Sequence, residues 1–453
     1  MLQNKKNIKF LLINPTSPLW RVNPNQRPIN SSVFRFSMLP SLYVAASMPY
    51  YVKTQILDED IEPIDFDTNA DLIGISFMTY NAPRAYEIAD QFREMGKMVI
   101  FGGYHPTFMQ QEAIQHADSI CIGESENNIP IMIKDFMAGK LKPFYKSELV
   151  DLKDLPVLNR NLLKNNAYVT INALQATRGC YHHCEFCSVA PFNRYKLRTR
   201  PIDQVLDELK GLGRSVIFMD DNIALDREYA FELFTRMIPL KKRWYSQCEI
   251  GIAEDDELLQ LARRSGCRGL FIGFESLSQQ SLSNWKKYCN KEKDYLELVK
   301  KIHSMGIGIF AAFVFGNDTD EADVFPKTLD FLLKANIEVL QSTRLTPFPG
   351  TPLFDKMTKD GRIFDKDWSH YDFFHVVHKP INMNPETLHS GTAWLQQQFY
   401  SYKNITRRLR RASRYLSPNI LMKVVLPINM GYRFKLSKYE AFKLGNSFHP
   451  DIN

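Results

Sequence analysis

Along the first 150 residues, short apolar runs alternate with stretches of helical period. The runs "IKFLLIN" (8–14), "TQILDED" (54–60), "DLIGISF" (71–77), "MVIFGGY" (98–104) and "SICIGES" (119–125) are rich in apolar and β-branched residues and punctuated by Gly, Asn or Asp. That texture predicts strands buried on both faces. Between them, "APRAYEIADQFREMG" (82–96) sets Ala85, Ile88, Ala89 and Phe92 on one helical face and stops at Gly96. Strands alternating with helices predict a Rossmann-like, doubly wound α/β domain over 1–150. Such sheets take ligands at the carboxyl ends of their strands, where Gly102, Gly103 and Gly123 stand. These glycines make tight βα turns or let a ligand approach the backbone closely; the pattern leaves both open.

"DLKDLPVLNRNLL" (151–163), with its proline and mixed charge, reads as a linker over 151–165. A second alternation follows over 166–360. Its predicted strands are 173–178, 216–221, 245–251, 269–275, 309–316 and 338–345, with helices such as "IDQVLDELKGLG" (202–213) and "DDELLQLARRSG" (255–266) between them. Such βα units predict a (β/α)6 partial TIM barrel, whose chemistry belongs at the carboxyl ends of its strands. After "TPFPGTPLFDKM" (346–357) the alternation stops, and 361–453 reads as mainly helical. Within it, "TRRLRRASRYLS" (406–417) places Leu409, Ala412 and Leu416 near helical spacing among arginines. The segment suits an anionic membrane surface contacted peripherally, or a solvated basic face packed on the barrel by those apolar residues.

Composition narrows the function classes. A chain of 453 residues exceeds the roughly 250–300 at which one core stops growing, so several domains are expected. No uninterrupted apolar run reaches the ~20 residues that span a bilayer. The opening "MLQNKKNIKFLLINP" reads as a first strand and not a secretion signal, which points to the cytoplasm. A net charge of +7 over this length gives no reason to expect nucleic acid.

Cysteine usage adds the chemistry. Three of the seven cysteines, Cys180, Cys184 and Cys187, fall in "ATRGCYHHCEFC" (176–187), directly after the first barrel strand. In a reducing compartment such a group holds a metal or cluster. Three thiolates can ligate three irons of a cubane and leave the fourth open to a small chelating ligand. A structural zinc would need a fourth ligand, from His182 or His183, and the loop has no second ligand pair. Cys248 and Cys267, near predicted strands, read as small buried hydrophobes.

The Cys180-x3-Cys184-x2-Cys187 spacing, with Phe186 before the last cysteine, resembles the signature of the radical S-adenosylmethionine (SAM) superfamily. The resemblance implies a [4Fe-4S] cluster whose open iron chelates SAM, and reductive cleavage of SAM to a 5′-deoxyadenosyl radical. It extends along the barrel. "VIFMDDNI" (216–223) lies where the family places residues near the SAM amino group, implicating Asp221 and Asn222. "GLFIGFES" (269–276) supplies Glu275 for the ribose hydroxyls, and "GIGIFAAFVFGN" (306–317), with Phe315, resembles the motif near the adenine.

Residues 74–126 are similar to the cobalamin (B12)-binding domain fused to one radical SAM branch. With the C-terminal "DWSHYDFFHVV" (367–377), nearly the whole chain resembles the hopanoid-methylase-like group. That implies cobalamin-dependent methylation of an unactivated carbon of a lipid, tetrapyrrole or natural product, driven by an electron donor such as flavodoxin or ferredoxin. Cofactor contacts are then expected from Tyr80 in "MTYN" (78–81), from Gly102, Gly103, Tyr104 and His105, and from Gly123. One departure stands. The Asp-x-His-x-x-Gly motif that brings a histidine to cobalt is absent, since neither His105 nor His116 has Asp two residues before it. Either the cobalt has no histidine below it or the domain holds no cobalamin; in the second case the enzyme would use its radical for coupling, cyclisation or transfer of another SAM-derived group.

Overall fold

The computed structural model describes residues 7–17, 35, 37–164, 167–438 and 444–448. The chain divides into two compact units, Met1–Ile171 with Asp367–Asp372, and Asn172–Lys366 with Phe373–Asn453.

The first unit holds a six-stranded, wholly parallel sheet. Its strands are β1 (Ile8–Asn14), β2 (Val52–Asp58), β3 (Leu72–Ser76), β4 (Met98–Gly102), β5 (Ser119–Ile122) and β6 (Phe144–Lys146), in the order β2-β1-β3-β4-β5-β6. Side chains alternate between two apolar layers, because successive strand residues face opposite ways. Leu11, Ile13, Ile73 and Phe101 meet the predicted face of the helix Ala82–Glu94 (Ala85, Ile88, Ala89, Phe92) on one side. Phe10, Leu12, Leu72 and Ile100 meet the helix Ile129–Met137 on the other. Gly74 lacks a Cβ because one would collide with the Phe10 ring, whose burial contributes about 1.5–3 kcal/mol. The chain order reverses between β1 and β3, which is where such a sheet opens a ligand crevice.

The second unit is built on β7 (Ala173–Leu174), β8 (Thr177–Arg178), β9 (Arg198–Thr199), β10 (Ser215–Phe218), β11 (Arg243–Cys248), β12 (Cys267–Glu275), β13 (Gly308–Phe315) and β14 (Val339–Arg344). β7, β10, β11, β12, β13 and β14 pair in sequence order, all parallel, with helices between them: an open (β/α) barrel. The predicted first strand is two short pieces, and the second of them, β8, leaves the sheet to pair antiparallel with β9.

An open barrel leaves backbone groups of its edge strand unpaired, a cost that must be met elsewhere. The C-terminal helices meet it at β14. The Tyr400 hydroxyl accepts from Leu340 N at 3.0 Å and donates to its carbonyl at 2.7 Å, and Gln396 Nε2 donates to the Ser342 carbonyl at 2.9 Å. From the basic segment, Arg408 is buried, donates to the carbonyls of Ile337 and Glu338, and lies 3.6 Å over the Phe399 ring. Leu409, Ala412 and Leu416 pack with Ile420, Leu421 and Val425. The apolar stripe of 406–417 is therefore spent inside the protein and is not offered to a bilayer. Among the described residues no helix is long and apolar enough to cross a membrane.

Candidate functional site

The cysteine loop leaves β8 at the carboxyl end of the barrel sheet. Gly179 opens it at φ +91°, where a Cβ would strike the Lys196 carbonyl and Asn193. Two consecutive carboxylates after β10 fasten its entry. Asp220 accepts from Ala176 N, Thr177 N and the Thr177 hydroxyl, and Asp221 accepts from Gly179 N at 2.9 Å. Burial lifts the Asp220 carboxyl to about 7 against these bonds. Further along, Phe186 packs edge-on against Trp285 at 5.2 Å, and Glu185 pairs with Lys286 at 2.9 Å.

Cys180, Cys184 and Cys187 converge closely enough to repel one another as thiolates. Burial raises Cys180 to about 11 and Cys184 to about 12; it also raises Cys187, and ionised Cys187 disfavours the other two further. Lys287 opposes this. Burial works against its ammonium, yet Cys289, Glu275, Cys184 and Cys187 hold it above the ordinary lysine value. Three converging thiols, needing a cation to ionise, with one lysine beside them fit a cluster that brings its own positive charge. The histidines that zinc would have needed are turned to other partners: His182 Nε2 lies 3.1 Å from Glu249 Oε2, and His183 stacks on Tyr195 at 4.3 Å.

Glu275 ends β12 at φ +66°, a left-handed conformation rare outside glycine, beside a register shift between Gly273 and Glu275. Gly273 has no Cβ because the Glu275 carboxylate occupies that space. Burial raises its pKa and Lys287 lowers it. A buried acid held in a strained turn at a strand end is a candidate for meeting a ligand. Asn222, also buried, accepts from Glu249 N at 3.4 Å. Phe315 stands elsewhere: it is buried in the layer behind β13, against Phe325 at 5.3 Å, while Phe310, Ala312 and Val314 point the other way. This corrects the expectation for Phe315, because a β-strand sends alternate residues to opposite faces. Cys248 and Cys267 are buried in the barrel core, as their pattern implied.

Sequence reasoning missed a polar trio beside the loop. His182, Glu249 and Cys289 bring ligand-capable atoms within 4.8 Å of one another. Burial alone would raise Glu249; His182, Lys287 and Cys289 hold it below the usual carboxylate range. Lys287 and Cys289 follow β12 in "NWKKYCNK" (284–291), where no periodicity or spacing marks them.

In the first unit the strand-end glycines form a bare backbone ledge. Gly103 has φ +102° and ψ −167°, and a Cβ there would lie 2.6 Å from the Phe77 carbonyl oxygen. Gly123, at φ +76°, has open space where its Cβ would be. Thr107, not anticipated, links the two by donating to the Gly103 carbonyl at 2.7 Å and accepting from Gly123 N at 3.0 Å. After β3, Met78 is exposed, and the buried Thr79 hydroxyl has no hydrogen-bond partner among the described residues. Asn81 reaches back to the Pro15 carbonyl at 2.9 Å, joining the ends of β3 and β1 across the crevice position. Tyr80 is half-buried, its hydroxyl pushed up to about 12 by burial and by Asp60 and Asp372. A ledge without side chains beside an unpartnered hydroxyl fits a large, amide-rich corrinoid.

Tyr104 and His105 differ from expectation. The Tyr104 ring is buried against Phe108 at 4.8 Å. His105 is wholly buried in a network in which Tyr86 and Trp368 donate to Glu112 and His105 Nε2 sits 3.1 Å from the Tyr86 hydroxyl. The short helix Tyr104–Phe108 begins at once after Gly103 and turns both rings into the core. His116 stacks on Tyr86 at 4.2 Å and bonds Asp90 at 2.8 Å, so neither histidine is offered to a cobalt.

Comparisons with known proteins agree with this geometry. The B12 binding domain model matches residues 41–132 and the Radical SAM superfamily model residues 174–332. Bacteriochlorophyllide d C-12(1)-methyltransferase of Chlorobaculum tepidum is 33% identical over 428 residues, covering 90% of this chain and 91% of that one. Hopanoid C-2 methylase of Rhodopseudomonas palustris is 26% identical over 352 residues, covering 72% and 65%. In fold, the chain is similar to the radical SAM methyltransferase TsrM from Kitasatospora setae, solved with cobalamin and a [4Fe-4S] cluster. The TM-score is 0.63 at 15% identity, over 97% of this chain and 99% of that one. With both domains in order and a relative this similar along almost its whole length, the chain belongs to the cobalamin-dependent radical SAM methyltransferases, whose cofactors are a [4Fe-4S] cluster, SAM and cobalamin.

Proposed function

We propose that this enzyme methylates an unactivated carbon on the periphery of a tetrapyrrole. The observation that carries the substrate class is the 33% identity, across 90% of the chain, to a protein named for methylating bacteriochlorophyllide d. When bound, the cluster and SAM supply a carbon radical and cobalamin supplies the methyl group. The chain's own part is to hold and orient them.

Cys180, Cys184 and Cys187 offer three thiolates and leave one corner of a cubane without a protein ligand. Asp220 and Asp221 position that loop through the backbone of 176–179. Glu275 accepts hydrogen bonds from SAM hydroxyls, with Lys287 balancing the charge of carboxylate and thiolates. In the first unit Gly102, Gly103 and Gly123 would hold the corrinoid against bare backbone, with the exposed Met78 and the unpartnered Thr79 hydroxyl available to it and no histidine offered. Reducing equivalents come from a small carrier such as flavodoxin or ferredoxin.

The test uses protein purified without oxygen, its cluster rebuilt, and loaded with hydroxocobalamin. About four irons and one cobalt per chain are expected. With SAM, a reductant and a bacteriochlorophyllide acceptor, the acceptor gains one methyl group while 5′-deoxyadenosine and S-adenosylhomocysteine form together. 5′-Deoxyadenosine without S-adenosylhomocysteine would overturn methyl transfer. Both products with no change in any tetrapyrrole, but with a hopanoid methylated, would overturn the substrate class.

A further inference from the structure

The barrel has a cavity at the end of the strands opposite the cysteine loop. It measures about 440 Å³ and lies where β10, β11, β12 and β13 begin, walled in part by Ser417 and Ile420. Its size falls within the ~300–1,000 Å³ of small-molecule sites. Arg214, Arg243 and Arg268 line it from the strand starts, and Lys241, Lys242, Arg263 and Arg264 from the preceding turns and the end of the helix Asp256–Ser265. No acidic side chain lines it.

A helix C-terminus favours some of these cations, and carbonyls hold others. Lys242 donates to the Leu212 carbonyl at 2.6 Å, Arg268 to the Cys267 carbonyl at 2.6 Å, and Arg263 to the same carbonyl at 3.5 Å. That accounts for three of the seven and for one or two donors of each. A guanidinium carries five N–H donors in a fork suited to paired oxygens. Arg214, Lys241, Arg243 and Arg264 have no side-chain hydrogen bond or ion pair among the described residues; Arg243 is half-buried and the other three are exposed. Crowding is felt: burial, then Arg263 and Arg243, lower the pKa of Arg268. The half-buried Arg243, Arg263 and Arg268 repel one another around a concavity with no internal anion, and an arriving anion relieves that repulsion.

We propose that this cavity binds a polyphosphate anion, a ligand with at least two adjacent phosphoryl groups, gripped by the free forks of Arg214, Arg243 and Arg264 and by Lys241. It lies away from the cluster loop and Glu275, so its ligand is neither SAM nor the methyl acceptor. The chemistry is shared by soluble polyphosphates and by phosphorylated lipid headgroups, and the test separates them.

Inorganic tripolyphosphate is titrated by calorimetry into the full-length, cluster-loaded enzyme at constant ionic strength, with sulfate as control. Saturable one-to-one binding, absent for sulfate, is expected. Arg243→Gln and Arg264→Gln remove no internal bond, so iron content and SAM binding should be kept while affinity falls roughly tenfold or more for each. Co-sedimentation with phosphatidylcholine vesicles containing phosphatidylinositol 4,5-bisphosphate, lost in the same variants, would identify a headgroup; tripolyphosphate binding without it, a soluble ligand. Binding of tripolyphosphate no tighter than sulfate, or unchanged in both variants, overturns the proposal.

Discussion

Gly103 is the position where the glycine ledge of the first unit is most sensitive to a single methyl group. Its φ of +102° and ψ of −167° lie in a region open essentially to glycine alone, which costs another residue about 1–3 kcal/mol. The Cβ of alanine would also meet Phe77 backbone atoms at 2.6 and 2.9 Å. Those atoms cannot swing aside as a side chain would, because Phe77 N donates to the Gly102 carbonyl at 3.2 Å, so overpacking adds about 1–3 kcal/mol. Alanine stiffens the unfolded chain and returns about 0.4–1 kcal/mol, leaving Gly103→Ala destabilising by roughly 1–5 kcal/mol. Gly123→Ala is the control: its φ is +76° but its Cβ meets nothing within 4 Å, so the backbone term of about 1–2 kcal/mol stands without a steric one and is offset by the same return of about 0.4–1 kcal/mol. Hydrogen exchange read by mass spectrometry over 98–107 is the assay, since protection reports local opening directly. Protection should fall by a factor between about 5 and a few thousand in Gly103→Ala, less in Gly123→Ala, with cobalamin retention after desalting falling in the same order. Protection equal to wild type in Gly103→Ala, or equal losses in both variants, would refute the steric argument.

Three further outcomes are expected. Changing Cys180, Cys184 or Cys187 singly to Ala should abolish 5′-deoxyadenosine formation while the protein stays folded by circular dichroism; turnover retained in any of them removes that residue from the ligand set. Glu275→Gln keeps the shape of the strained turn and removes the charge, so SAM affinity should fall about 10–100-fold with iron content unchanged, as measured by equilibrium dialysis. Unchanged affinity would mean that Glu275 does not touch SAM. His378, fully buried with Nε2 at 3.3 Å from the Gly316 carbonyl, has its pKa lowered to about 4, chiefly by burial. The unfolded chain therefore binds the extra proton below about 6.5, and stability is lost as pH falls from about 6.5 to 4, by up to about 3 kcal/mol. Denaturant midpoints of His378→Gln should lack that share of the slope, and an identical slope in variant and wild type would count against it.

What could be read before folding, and what could not, divides along a physical line. Both sheets were legible because a parallel strand buried on two faces writes its own apolar run, as in Ile8–Asn14 and Gly308–Phe315. The cysteine loop was legible because Cys180, Cys184 and Cys187 lie close enough in sequence to share one loop. β8 leaving the sheet was not, since nothing in "ALQATR" distinguishes a continuous strand from one that breaks at Gln175. Nor were the buried faces of Phe315 and His105, which depend on strand phase and on a helix starting one residue after Gly103.

The same line explains Lys287 and the aspartate pair. Lys287 is about a hundred residues beyond the cysteines it faces, and only the fold makes them neighbours. "DD" at 220–221 was legible as chemistry at a strand end, but its division of labour was not. Asp220 ties down 176–177 and Asp221 ties down Gly179, so the loop that carries the three cysteines hangs from β10 by carboxylate-to-backbone bonds where β8 has left the sheet. A sheet bond there would fix the backbone direction of β8 to that of β10. A carboxylate fixes only the position of the N–H groups, which frees the chain to turn at Gly179 and bring three thiols together. The departure of β8 from the sheet, which left the predicted strand in two pieces, is thus the feature that lets the cysteine loop form.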